Sequence, residues 1–177
     1  MYKTKTICYN EHNINKPKPK QKNKPGGKEK MLKAGLIAQG SITNAHYPAY
    51  IEMEEKGIAI VEAVADVRPE MFDKHKRLKN TANIKEYSDY NELIEAEAGK
   101  LDFVDICLPT FLHCDAACKA MEAGINVIVE KPMALSYEQC VKMCETAKKT
   151  GKTSTDDYCF EFHCSVFCVF VNPHTPS

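Results

Sequence analysis

Leu32-Lys33-Ala34-Gly35-Leu36-Ile37-Ala38-Gln39-Gly40-Ser41-Ile42-Thr43 decides the reading of this chain. A short apolar run, Leu32 to Ala38, stops at Gly40, and a helical pattern runs on from Ser41 to Glu55. That is a strand passing through a glycine turn into a helix. Pro48 stands inside the helical stretch and predicts a kink or a break.

Outward from this turn the same alternation repeats. Ile58 to Ala65 (IAIVEAVA) is β-branched and apolar, as expected of a strand buried on both faces. Pro69 to Lys79 is charged and helical, with proline suited to a first turn. Ile84 to Tyr87 reads as a short strand, and Ser88 opens a helix reaching about Ala98. Phe103 to Leu108 (FVDICL) is a second buried strand, ended by Pro109. Leu112 to Ala123 is a helix closed by Gly124. Asn126 to Val129 is the next strand. Ser136, with Gln139 three residues on, opens the last helix, which ends at Gly151. Regular βα alternation implies a parallel sheet covered by helices on both faces through right-handed crossovers. The expected fold class is therefore α/β, a doubly wound parallel sheet of the Rossmann type.

The flanks differ. Residues 1–30 include Lys16-Pro17-Lys18-Pro19-Lys20 and Lys24-Pro25-Gly26-Gly27, too polar and like-charged to offset the entropy of ordering. They read as a solvated basic tail, with an arm for anionic partners as the other reading. Codons for Gly26-Gly27-Lys28-Glu29-Lys30 are purine-rich, which suggests that translation starts at Met31; a native peptide containing earlier residues would exclude that. Residues 154–177 read as an irregular tail. Ser154-Thr155-Asp156-Asp157 is polar where the alternation demands a sixth strand, and Tyr158 follows. Shifting the codons of Thr155-Asp156-Asp157-Tyr158 by one base allows an apolar Leu-Met-Ile, so the tail reads as a frameshifted continuation of a longer gene, which sequencing the locus checks.

The 177 residues suit one domain of 31–153 with these flanks. The formal net charge is zero, which gives no basis for a nucleic-acid partner. No apolar run spans a membrane, and no secretory signal opens the chain, so the expected location is the cytoplasm. Nine cysteines include no CxxC pair. Cys114/Cys118, Cys140/Cys144 and Cys164/Cys168 are spaced to share helix faces; they read as small buried side chains, and no metal is assigned.

Three strand ends carry the chemistry. At the first turn only Gly40 of a Gly-x-Gly-x-x-Gly dinucleotide fingerprint is present. It would let backbone approach a pyrophosphate at the helix N-terminus. Ala38 is compatible with the first glycine position if its φ stays negative, and Thr43 in the third would push the helix from the strand. Asp66 ends the second strand, where a carboxylate holds adenosine ribose hydroxyls and repels a 2′-phosphate. This favours NAD, while Arg68 leaves NADP open. The other reading of Asp66 is a helix cap. Lys131, after Glu130 at the end of the fifth strand, can stabilise a developing alkoxide or tune a neighbouring base. The other reading is a surface lysine paired with Glu130.

From about Met31 to Thr153 the chain resembles the N-terminal domain of the Gfo/Idh/MocA family of oxidoreductases. The resemblance rests on LKAGLIAQGSITNAHYPA, VEAVADVRPE, VDICLPTFLHCDAACKAMEAGINVIVEKPMALS and the helix up to KKTGK. It implies that Ala38, Gly40, Ser41 and Ile42 line the pyrophosphate and that Asp66 holds the adenosine ribose. It implies that Leu108, Pro109, Thr110 and His113 lie along the nicotinamide ribose, with Glu130 orienting it. Lys131 would contact cofactor and substrate and assist catalysis. His46 and Pro48 match a turn-proximal pattern of the family, although His46 also reads as a helix-surface residue. Family members continue into a second α/β domain that supplies the substrate pocket, and nothing after Lys152 resembles it. The implied activity is hydride transfer between a nicotinamide cofactor and a sugar or polyol, with this chain its cofactor half and self-association into a homo-oligomer left open. The alternative is a non-catalytic dinucleotide-binding or redox-sensing module.

Overall fold

The computed structural model describes residues 30–151 and the backbone of 168–170. The expectations for the basic tail, the Met31 start and the frameshift lie outside the described residues.

Strands β1 (Leu32–Ile37), β2 (Ala59–Ala65), β3 (Lys85–Tyr87), β4 (Phe103–Ile106), β5 (Asn126–Val129) and β6 (Cys168–Phe170) form one sheet in the order β3-β2-β1-β4-β5-β6. β1 to β5 are parallel, and β6 runs antiparallel on β5. Helices α1 (Thr43–Glu55), α2 (Tyr90–Glu97), α3 (Thr110–Glu122) and α4 (Tyr137–Thr150) make the connections. The strand order reverses between β1 and β4, as in a doubly wound sheet. No described helix is long and apolar enough to cross a membrane.

Two apolar clusters lie on opposite faces. Tyr47 and Tyr50 of α1 pack with Leu36, Val61 and Val64 on one face. The other face buries Val104, Ile106, Val127 and Val129 against α2, α3 and α4 through Leu93, Ala117, Met121 and Met143. Side chains of β1 alternate between these clusters, whereas a register shift opposite Ala34 and Gly35 puts Val61 and Ala63 of β2 in different clusters. Gly35 lies between helix-facing side chains: a Cβ there would meet Leu101 Cδ1 at 2.8 Å and Val104 Cγ1 at 3.0 Å.

Several boundaries differ from expectation. α1 begins at Thr43 and continues through Pro48, whose ring faces solvent while Thr43, His46, Tyr47 and Tyr50 are buried. Packing on both sides of the proline outweighs the hydrogen bond it removes. Pro69–Arg77 is a 3₁₀ helix, not an α-helix. Of its nine residues only His75 is buried, so little packing selects the α form over the 3₁₀ form. α2 starts after Asp89, whose carboxylate accepts from Asn91 N–H at 2.7 Å. The tail contributes the β6 pairing where no strand period was legible, because the open edge of β5 offers unpaired backbone groups.

Two local signals match the structure. Ser136 Oγ accepts from Gln139 N–H at 3.4 Å, though Gln139 returns its carbonyl to Leu135 N–H at 3.0 Å. Gly124 closes α3 with φ +79°, a conformation that favours glycine.

Gly35→Ala is expected to lower stability by about 1–3 kcal/mol through overpacking against Leu101 and Val104. Urea unfolding monitored by circular dichroism checks this.

Candidate functional site

The loops after β1, β2, β4 and β5 leave the same edge of the sheet, because backbone ladders continue just beyond the strands. Ala38 N–H donates to Ala65 C=O (2.8 Å), Cys107 N–H to Ile37 C=O (2.9 Å), and Glu130 N–H to Ile106 C=O (3.0 Å). Four adjacent parallel strands about 4.8 Å apart spread this edge over about 14 Å.

The first turn departs from the sequence expectation. Ala38 has φ +68°, so it occupies the left-handed region instead of keeping a negative φ. Thr43 does not push α1 away. It is buried, and its hydroxyl donates to Ala38 C=O at 2.7 Å, closing the turn from the first helical residue. Gln39 is buried beneath the turn, and its side-chain oxygen accepts from the Tyr47 hydroxyl. Around Gly40 an added Cβ would meet nothing within 4 Å, so this backbone faces open space. Ser41 and Ile42 are exposed, and no side chain caps α1. Its N-terminal amides suit an anion. Lys74 reaches over from the 3₁₀ helix and donates to Gln39 C=O at 2.5 Å and Gly40 C=O at 3.1 Å. Sequence reasoning missed Gln39 and Lys74, since nothing local to either residue marks the contact.

Asp66 braces this turn. Its carboxylate accepts from Gln39 N–H at 2.7 Å, Arg68 N–H at 2.9 Å and Arg68 Nε at 3.1 Å. It does not cap the following helix, which has no side-chain cap. Burial opposes ionisation of Asp66, but the hydrogen bonds from Arg68 and from the two amides outweigh it. The carboxyl therefore titrates below its ordinary value. Arg68 is about half exposed, so its side chain is held to Asp66 from the solvent side.

At the end of β4, Leu108 is half-buried, Pro109 exposed, and Thr110 the first residue of α3. His113 points inward. It is buried with Nε2 at 2.7 Å from Leu108 C=O and Nδ1 at 3.0 Å from Pro132 C=O. It thus braces the β4 loop against the β5 loop, with both ring nitrogens engaged by backbone. Lys131 is exposed, and its peptide bond to Pro132 is cis. Glu130 is buried and does not pair with the Lys131 ammonium. One oxygen accepts from Lys131 N–H at 2.9 Å, and the other lies 3.2 Å from His46 Nε2.

His46 is a further correction. It is no helix-surface residue: it is buried, with Nδ1 2.7 Å from Asp105 Oδ2. Tyr50 donates to the same oxygen at 2.9 Å, and the Cys107 thiol lies 3.5 Å from Nδ1. The hydrogen bond to Asp105 raises the His46 pKa above its ordinary value despite burial, with Glu130 acting in the same direction. Burial pushes the Cys107 thiol and the Tyr50 hydroxyl well up. A signal for the cluster existed in the sequence. Thr43, His46, Tyr47 and Tyr50 share a helical stripe, and Asp105 interrupts an apolar strand, where a carboxylate needs a buried partner.

His46, Asp105 and Cys107 bring ligand-type atoms within 4.8 Å of one another. Their close contacts form a hydrogen-bonded set with Tyr50. Cys114 and Cys118 are buried side by side in the core, as expected of small apolar residues.

The description of the family model that matches residues 32–158 is an oxidoreductase family with an NAD-binding Rossmann fold, Gfo/Idh/MocA. The chain belongs to this family. A D-glucoside 3-dehydrogenase of Escherichia coli is 42% identical over 65 residues, covering 37% of this chain and 18% of the relative. An inositol 2-dehydrogenase of Salmonella paratyphi B is 28% identical over 123 residues, 68% of this chain and 34% of the relative. Among solved structures, the WlbA dehydrogenase of Chromobacterium violaceum in complex with NADH and UDP-GlcNAcA superposes with TM-score 0.60 at 25% identity, over 69% of this chain and 33% of that one. The chain therefore spans between 18% and 34% of these relatives' lengths. It is an NAD-binding Rossmann domain of an oxidoreductase family.

The turn geometry sets opposite expectations for two substitutions. Ala38→Gly should stabilise the chain by up to about 1 kcal/mol by relieving left-handed strain. Thr43→Gly should destabilise it by about 1–2 kcal/mol, losing the bond to Ala38 and helix propensity. Urea midpoints of the two variants decide both.

Proposed function

We propose that residues 31–153 are the cofactor-holding domain of an oxidoreductase that moves hydride between NAD and a CH–OH group of a sugar or polyol. The observation that carries this reading is the convergence of the Gly40 turn, Asp66, the Leu108–His113 segment and Glu130–Lys131 on one carboxyl edge across the strand-order reversal. The open space above Gly40 and the uncapped start of α1 fit a pyrophosphate beside Ala38, Gly40, Ser41 and Ile42.

Asp66 would accept hydrogen bonds from the adenosine ribose once Arg68 yields its place. Leu108, Pro109 and Thr110 would flank the nicotinamide ribose, and His113 would hold their loop against the β5 loop. Glu130 would orient the same ribose. When bound, the nicotinamide supplies the hydride donor or acceptor. The exposed Lys131 ammonium is the catalytic group, donating a hydrogen bond to the substrate oxygen and favouring its developing negative charge. The names of the relatives, a glucoside and an inositol dehydrogenase, support a sugar or polyol substrate.

Asp66 carries charge where a 2′-phosphate would sit, so NAD should bind more tightly than NADP, on the order of tenfold after Arg68 offsets part of the repulsion. Asp66→Ala should narrow that ratio. Calorimetry with each cofactor checks it, and equal or tighter NADP binding by the wild-type chain would contradict the ribose role. The 177-residue chain by itself should bind NAD without turning over polyols or sugars. Substrate positioning contributes about 7–11 kcal/mol in favourable cases, and Lys131 alone does not hold a substrate. Absorbance of reduced cofactor with a substrate panel tests this; turnover abolished in Lys131→Ala would show a complete active site.

A further inference from the structure

We infer that His46 is a positioning residue for the cofactor site: clamped between Asp105 and Glu130, it holds the Glu130 carboxylate beneath the Lys131 amide and ties the β5 edge to the turn that opens α1. The inference rests on reading Glu130 and Lys131 as the nicotinamide-side pair.

Three observations carry it. First, both ring nitrogens face carboxylate oxygens, Nδ1 toward Asp105 at 2.7 Å and Nε2 toward Glu130 at 3.2 Å. A neutral imidazole has one N–H, so only the imidazolium donates to both. Second, the two oxygens of Glu130 are held from opposite sides, Oε1 by His46 and Oε2 by the Lys131 N–H at 2.9 Å. Releasing one side frees the carboxylate to rotate away from the other. Third, His46 lies three residues after Thr43, whose hydroxyl closes the turn on Ala38. The imidazole therefore joins the pyrophosphate end of the site to the nicotinamide end through one turn of helix.

The groups around the ring leave His46 as the switchable member. Tyr50 faces it from α1, Asp105 and Cys107 from β4, and Glu130 from the end of β5. Tyr50 and Cys107 are both held protonated by burial. His46, Tyr50 and Asp105 line a groove of about 310 Å³, which gives the ring a path for proton exchange. Because its folded pKa is raised, the clamp is fully formed below the ordinary imidazole value and is lost as pH rises through the raised one. The bond to Glu130 is the longer of the two, so it is the one surrendered when the ring loses a proton.

The test follows the His46 ring and the Lys131 amide by NMR in the wild-type full chain from about pH 6 to 10, with NAD calorimetry across the same range. The Lys131 amide should shift with the same midpoint as the His46 ring, and NAD affinity should fall about tenfold through it, the worth of one charge-assisted hydrogen bond. In His46→Gln the amide titration should vanish, and NAD binding should be weaker and flat with pH. A Lys131 amide indifferent to His46, or the same pH profile of NAD binding in His46→Gln as in wild type, would overturn the inference. If His46→Gln does not fold, the wild-type amide titration decides alone. If the wild-type chain binds no NAD at any pH, the cofactor reading fails, and the amide titration still decides the clamp.

Discussion

Strand β1 lies between β2 and β4, and that pairing places every other part of the molecule. From Ala34 to Ile37 the strand is buried, with one neighbour on each side and an apolar cluster on each face. Its parallel partners force each connection to cross back over the sheet, which brings the loops after β1, β2, β4 and β5 to one edge. The switch of direction between β1 and β4 opens a space there between diverging connections. At Gly35 even a methyl group would collide with Leu101 and with Val104 of β4, so β1 has no room there for a larger residue.

The edge is stiffened by buried polar groups rather than by apolar packing. Asp66 holds the Gln39 amide, Thr43 holds the Ala38 carbonyl, His113 joins the Leu108 and Pro132 carbonyls, and His46 joins Asp105 to Glu130. Each such group is costly to desolvate unless its partners are in place. A cooperative set of this kind favours one arrangement over near alternatives. The left-handed Ala38 fits the same logic. Its backbone is turned so that its carbonyl meets Thr43 and its N–H meets Ala65, and those contacts stabilise a conformation that alanine by itself disfavours.

The family model that matches the chain describes an NAD-binding Rossmann fold, and Gly40, Asp66 and Lys131 follow β1, β2 and β5 in that order. The Gly40 turn is built differently from a glycine-rich fingerprint. Alanine, threonine and the Lys74 side chain do the work of two missing glycines in setting its shape. The Lys74 ammonium, on a flexible stem, is held there by the carbonyls of Gln39 and Gly40.

By itself the sequence determined the α/β class, the order of β1 to β5 and the helices between them, the cap at Ser136 and the glycine stop at Gly124. These follow from apolar periodicity and local backbone preferences, which act over a few residues and are therefore visible in a line of letters. Tertiary structure alone decided the sign of φ at Ala38, the continuity of α1 through Pro48, the 3₁₀ form of Pro69–Arg77 and the partners of His46. His46 finds its partners 59 and 84 residues away. Whether a histidine on a helix meets water or two carboxylates depends on which strands the sheet brings beneath it, and that is set by long-range strand pairing, which local sequence does not encode.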